Sequence, residues 1–281
     1  MSLEVETPID ALLDLMRRLP PQHVQQNLDK LVQLAPEDAE ELVSSVDVPL
    51  RIVKCKETGK PYLCCDYNKD GNSYRSPHSN EYDPPLPEGA FPSVKLRKLE
   101  VSANEAFDTY REMYFEGGVS SVYLWDTDPG AFAGVVLFKK RACPQSHFSD
   151  LLDQPSTDSW DSIHVFEALE KGRMANYKLT STVMLTISVS GPSEGTVSLS
   201  GSMTRQQEQD LPIASIQTHI ANTGRMIEDM ELKMRNQLQD VYFGKTRDVV
   251  GELRSVVGDE EERRRRDLAK ELQGRFGKRL T

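Results

Sequence analysis

Cysteine is scarce in this 281-residue sequence, tryptophan scarcer still, and a long apolar run is missing altogether. The four cysteines are Cys55, Cys64, Cys65 and Cys143. They form no C-x-x-C pair, and the adjacent Cys64 and Cys65 cannot both point to one side of a strand. A disulfide framework is therefore not expected, and free thiols in a reducing cytoplasm are. No segment reaches the roughly 20 apolar residues of a membrane span. The N-terminal Met1-Ser2-Leu3-Glu4 lacks the basic and apolar regions of a secretory signal. Positive charge is in deficit, with 34 Lys and Arg against 44 Asp and Glu, a formal net charge of −10. An acidic body argues against nucleic acid as the main partner.

Catalytic patterns are missing too. There is no G-x-S-x-G elbow. Gly117-Gly118 precedes a strand pattern rather than a helix, the wrong setting for a phosphate cradle. The histidines at 23, 78, 147, 164 and 219 are never spaced i, i+4 and never sit beside a cysteine at ligand spacing, so no zinc site is expected. His164 reads as a packed strand residue. Asp66-Tyr67-Asn68-Lys69-Asp70-Gly71 copies the opening of a calcium-binding EF-hand loop, but its twelfth position is Pro77 instead of glutamate. A turn with Asx side chains bonded to the local backbone, and Gly71 at positive φ, explains it better. The expectation is a protein without enzymatic activity, cofactor or metal.

What is present has clear periodicity. Residues 8–45 carry three short apolar stripes broken by Pro20-Pro21 and Pro36, as three short helices would. Prolines at 49, 61, 77, 84, 85, 87 and 92 largely exclude helix from residues 46–93, where one strand near Tyr62–Tyr67 and ordered loop are expected. Leu96, Leu99, Ala103, Ala106, Phe107, Tyr110 and Met113 put a helix over 94–115. From 118 the period shifts towards two. Strands are expected at Val119–Asp126, Phe132–Lys140, Trp160–Leu169, Tyr177–Val189 and Thr196–Thr204, joined as antiparallel hairpins except across the longer segment 141–159. After Pro212, Ile216, Ile220, Ile227, Met230, Met234 and Leu238 form the stripe of a long helix, with Ser215 as its N-cap.

The fold class is therefore α+β, in five sections. These are an N-terminal antiparallel helical bundle (1–47), a loop-rich segment with a helix (48–117), an antiparallel five-stranded sheet (118–211), a long helix across it (212–254) and an amphipathic C-terminal helical tail (255–281). With only the 94–115 helix left for the second sheet face, an obligate partner chain is inferred.

The tail is the most distinctive segment. Residues 263–281 hold eight basic and two acidic residues, so everything before them sums to −16. Leu268, Leu272, Phe276 and Leu280 recur every four residues, flanked by Lys270, Arg275, Lys278 and Arg279 and preceded by Arg263 to Arg266. Gly274 and Gly277 each cost about 1 kcal/mol of helix propensity. Such a segment folds on an acidic-rimmed apolar groove. Docking on its own body and binding to acidic lipid are the alternatives.

Long uninterrupted words resemble the β subunit family of the F-actin capping protein. They are Ser44 to Asp47 with Pro49-Leu50, Leu63 to Pro85, Leu96 to Glu100, Tyr114 to Asp126, Trp160 to Glu167, Tyr177 to Leu185, His219 to Glu231 and Tyr242 to Arg254. The resemblance implies an obligate heterodimer with a structurally similar α subunit, the two sheets joining about a pseudo-twofold axis. It implies calcium-independent binding to the barbed end of actin filaments and a place in the cytoskeleton. It assigns actin binding to the tail, here Leu268, Leu272 and Phe276 with Lys270, Arg275, Lys278 and Arg279, and to basic residues near the end of the long helix, here Arg235 and Arg254. An actin-related filament, as in a dynactin-like complex, would be met by the same surface. Acidic phosphoinositides are expected regulators. The segment 141–159 appears enlarged against the family pattern.

Overall fold

The computed structural model describes residues 8–141, 158–191, 195–240 and 244. Three short helices, α1 (Pro8–Arg18), α2 (Val24–Leu34) and α3 (Ala39–Ser45), come first. They share an apolar cluster of Met16, Val24, Leu28, Leu31 and Leu42. Pro21 and Pro36 each open a 3-10 turn between them, because proline suits a first helical turn and no later one.

Residues 46–93 hold more strand than the single one expected. β1 (Arg51–Lys54) pairs with β2 (Pro61–Cys64), and β3 (Lys69–Asp70), β4 (Ser73–Arg75) and β5 (Tyr82–Asp83) form a small three-stranded sheet. The prolines hid this, yet Pro61 begins its strand and so costs no ladder bond in its interior. α4 (Val94–Tyr114) follows, with the Ser93 hydroxyl accepting from the Leu96 amide as N-cap.

The main sheet is a meander in the order β10-β9-β8-β7-β6, from β6 (Val119–Asp126), β7 (Ala131–Arg141), β8 (Ser159–Lys171), β9 (Met174–Gly191) and β10 (Gly195–Pro212). β9 and β10 outrun the expected ends. Their ladder continues from Thr204↔Thr182 to Pro212↔Met174, through Gln206, Gln207, Glu208, Gln209 and Asp210. Polar residues on both sides masked that stretch, because little covers it. Gly134 in β7 carries no side chain where Phe166 and Leu124 fill the space above it.

The expected layering needs one correction. α4 does not cover the second face. Its Phe107 and Tyr110 pack on Phe138, with ring centroids 6.2 and 5.3 Å apart, and Phe138 lies on the same face as His164 beneath α5 (Thr218–Leu238). Both long helices thus share one face. The other face is covered from the N-terminal part of the chain: Leu50, Leu63 and Cys65 pack on Tyr123, Val135, Leu137, Ile163 and Met184. Farther along, Met16, Val24 and Asp47 line a small cavity with Thr182, Met184 and Thr204. The α5 helix begins at Thr218, not at Ser215. The Ser215 amide and hydroxyl bond the Thr218 hydroxyl in the preceding turn.

Candidate binding surface

The two edges of the main sheet differ. Along β6, α4 stands in for a sixth strand. The Asn104 amide nitrogen donates to the Val122 carbonyl and its oxygen accepts from the Val122 N–H, both at 2.9 Å. One helical turn earlier, Glu100 Oε2 accepts from the Leu124 N–H at 2.7 Å. Four helix residues rise about 6 Å and two strand residues about 6.7 Å, so the spacings match. Glu100 is fully buried and its charge is met by Arg75, whose two guanidinium nitrogens donate at 2.8 Å each. Arg97 forms a second ion pair with it. Arg75 also donates to the Asn80 side chain at 2.7 Å. β6 is closed.

The β10 edge is open: among the described residues no strand pairs with its other side. An open strand 18 residues long invites pairing with another chain. Large apolar side chains also stand exposed on the three N-terminal helices, namely Leu15, Leu34 and Val43. Both features leave apolar side chains or backbone groups open on this side of the chain.

On the opposite face, α5 buries Met226, Ile227, Met230 and Met234 against the sheet. Polar contacts accompany them. Tyr177 Oη and His219 Nδ1 are 2.7 Å apart, and His219 Nε2 lies 3.2 Å from Glu170. Burial pushes the His219 imidazole below its usual pKa, a shift that Glu170 partly offsets. Asn222 donates to Tyr177 Oη and to the Pro212 carbonyl. Farther along, the fully buried His164 lies 2.8 Å from the Ser181 hydroxyl and 3.0 Å from Glu231 Oε1. The outward face presents Arg225, Glu228, Asp229, Leu232 and Lys233. Arg235, expected in the actin-binding surface, sits half-exposed in the last turn of α5. Arg254, Leu268, Lys270, Leu272, Arg275, Phe276, Lys278 and Arg279 lie outside the described residues, as does the 141–159 segment from 142 to 157.

A model of the F-actin capping protein beta subunit matches residues 9–250. The chain belongs to the F-actin capping protein β-subunit family. It is 54% identical to the F-actin-capping protein subunit beta of Gibberella zeae over 287 aligned residues, covering 96% of this chain and 99% of that one. The Caenorhabditis elegans subunit beta is 52% identical, over 95% of this chain and 96% of the relative. Among solved structures, a homodimeric actin capping protein alpha subunit from Plasmodium berghei matches with a TM-score of 0.52 at 16% identity, over 89% of this chain and 96% of that one. That likeness extends the fold to the α-subunit family.

The Asp66–Gly71 loop is a turn. Asn68 Oδ1 accepts from the Cys65 N–H and its amide donates to the Arg75 carbonyl, both at 2.9 Å, while Gly71 takes φ +57°. Asp70 Oδ2 accepts from the Ala90 N–H at 3.2 Å. Sequence reasoning passed over Asn104, Glu100 and Glu231. A signal for Glu231 was there: it falls four residues after Ile227, at the margin of the apolar stripe, where a carboxylate needs a partner.

Proposed function

We propose that this chain is the β half of a heterodimeric, non-enzymatic cap on the barbed end of actin filaments. The observation that carries the reading is similarity spread along nearly the whole chain to proteins named as F-actin-capping β subunits. An α chain of like fold would pair its own edge strand along β10, and its helices would cover Leu15, Leu34 and Val43. The tail side chains Leu268, Leu272 and Phe276 would enter a groove on a terminal actin, with Lys270, Arg275, Lys278 and Arg279 against its acidic rim. Arg235 and Arg254 would meet the filament end directly. The same cations would take acidic phosphoinositide headgroups, which would then compete with actin.

Once the body docks, tail binding becomes intramolecular, so the two contacts multiply. Each buried Leu or Phe anchor contributes about 1.5–3 kcal/mol. The test is a heterodimer lacking residues 263–281. It should stay dimeric while its capping weakens at least tenfold, which corresponds to about 1.4 kcal/mol. Unchanged capping by that dimer would overturn the tail assignment.

A further inference from the structure

The buried side of α5 is rich in methionine: Met226, Met230 and Met234 outnumber the branched Ile227 and Leu238. Methionine is unbranched and adaptable, so such a stripe packs almost as well after a small rotation or slide. Apolar packing is therefore a weak guide to where α5 sits. The polar contacts are not adaptable. Glu231 meets His164, and His219 meets Glu170 and Tyr177.

These contacts are twelve residues apart on the helix, about 18 Å. Their partners on β8, Glu170 and His164, are six residues apart, about 20 Å. The helix thus runs antiparallel to β8 with both contacts in register. At about 100° per residue, His219 and Glu231 lie roughly 120° apart around the helix axis. A rotation that preserves one contact breaks the other. A slide of one turn would place Glu231 away from His164, against neighbours such as Ser162 or Phe166 on the same strand face.

We propose that His164 and Glu231 are positioning residues for filament-end binding. By holding α5 in one rotation and one axial register, they keep its exposed cations Arg225 and Lys233 aimed outward, to join the filament contact proposed for Arg235 on the same helix. This rests on the capping function proposed above. Ser181 holds the His164 ring from β9 at 2.8 Å, and Phe138 packs against its edge with centroids 5.9 Å apart.

The test separates aim from stability. Replacing a buried ionisable pair by apolar residues of similar size is often neutral or stabilising. The variant His164→Phe/Glu231→Leu, made in a Ser181→Ala background so that no buried hydroxyl loses its partner, and coexpressed with an α subunit, should therefore keep its Tm while capping in a pyrene-actin elongation assay weakens about tenfold. Spin labels at the exposed positions of Leu232→Cys and Met174→Cys, in a Cys143→Ser background, should give one narrow distance in the otherwise unsubstituted heterodimer. In the double variant the distribution should broaden or shift. If the double variant does not fold, Glu231→Gln is read by the same two assays, with a smaller change in the same direction.

A broad distribution without the pair substitutions would overturn the proposal. So would unchanged capping and unchanged distance in the folded variant, or a loss of capping without any change in distance. Capping is read on the unlabelled proteins; if the unlabelled heterodimer with His164 and Glu231 intact itself fails to cap, the capping function is what has failed.

Discussion

Asn104 completes the hydrogen bonding of Val122, giving a donor to its carbonyl and taking its N–H, each at 2.9 Å. A side-chain amide has the donor and acceptor that a neighbouring strand would have offered. With Glu100 serving Leu124 at 2.7 Å, α4 seals one edge of the sheet from within the chain. The other edge strand of the sheet, β10, pairs with no further strand among the described residues.

Truncating Asn104→Ala leaves two buried backbone groups of Val122 without their side-chain partner. The expected loss is about 2 kcal/mol, read as a lower urea midpoint. Amide exchange of Val122 should accelerate more than that of Val136, which lies opposite it in the β6–β7 ladder.

Arg75 and Glu100 behave as a buried ion pair, with side chains 5% and 0% exposed. Arg75→Met strands the carboxylate and should cost about 3–5 kcal/mol, towards the lower end because Arg97 still reaches Glu100. Arg75→Met/Glu100→Leu should cost clearly less than the single change. A double-mutant cycle on denaturation midpoints checks this.

His219 sets a pH dependence. Its folded pKa lies below the usual 6.5 because burial disfavours the imidazolium. As pH falls through 6.5 the unfolded chain takes up a proton before the folded one does, so stability present above that value is lost on acidification. Tm should fall between pH 7.5 and 5.5, and His219→Gln should flatten that fall. His78, also lowered by burial, keeps it from vanishing.

Much of this architecture is legible in the residues themselves. Alternation such as Val183, Leu185 and Ile187 against Thr182, Met184 and Thr186 marks β9, and the Ile227–Met230–Met234 stripe marks α5. Of the β1–β2 hairpin, only the second strand was legible, as the strand expected near Tyr62–Tyr67. β1 is only four residues long, with Arg51 and Lys54 exposed and Ile52 and Val53 half-buried, too short for a periodic signal, and its partner opens on a proline that reads as a breaker. The far half of β10 was missed because Gln206 to Asp210 carry no apolar side chain, while a backbone ladder needs none. The placement of α4 was missed for a different reason. Periodicity shows that a helix has an apolar face, but not which sheet face or edge receives it. The packing of Phe107 and Tyr110 on Phe138 decides the face, and the contacts of Asn104 and Glu100 decide the edge. Of the expected actin-binding residues only Arg235 lies within the described residues, where it stands half-exposed. The others were named by family resemblance and by a four-residue apolar repeat.

The central claim is that this chain, with an α subunit, closes the fast-growing end of a filament. Its most direct test is elongation from filament seeds whose barbed ends alone are free, in the presence of the coexpressed full-length heterodimer. The account predicts that growth stops at substoichiometric heterodimer, with calcium present or chelated. Growth continuing at the rate of bare seeds, with the heterodimer folded and in excess over ends, would contradict it.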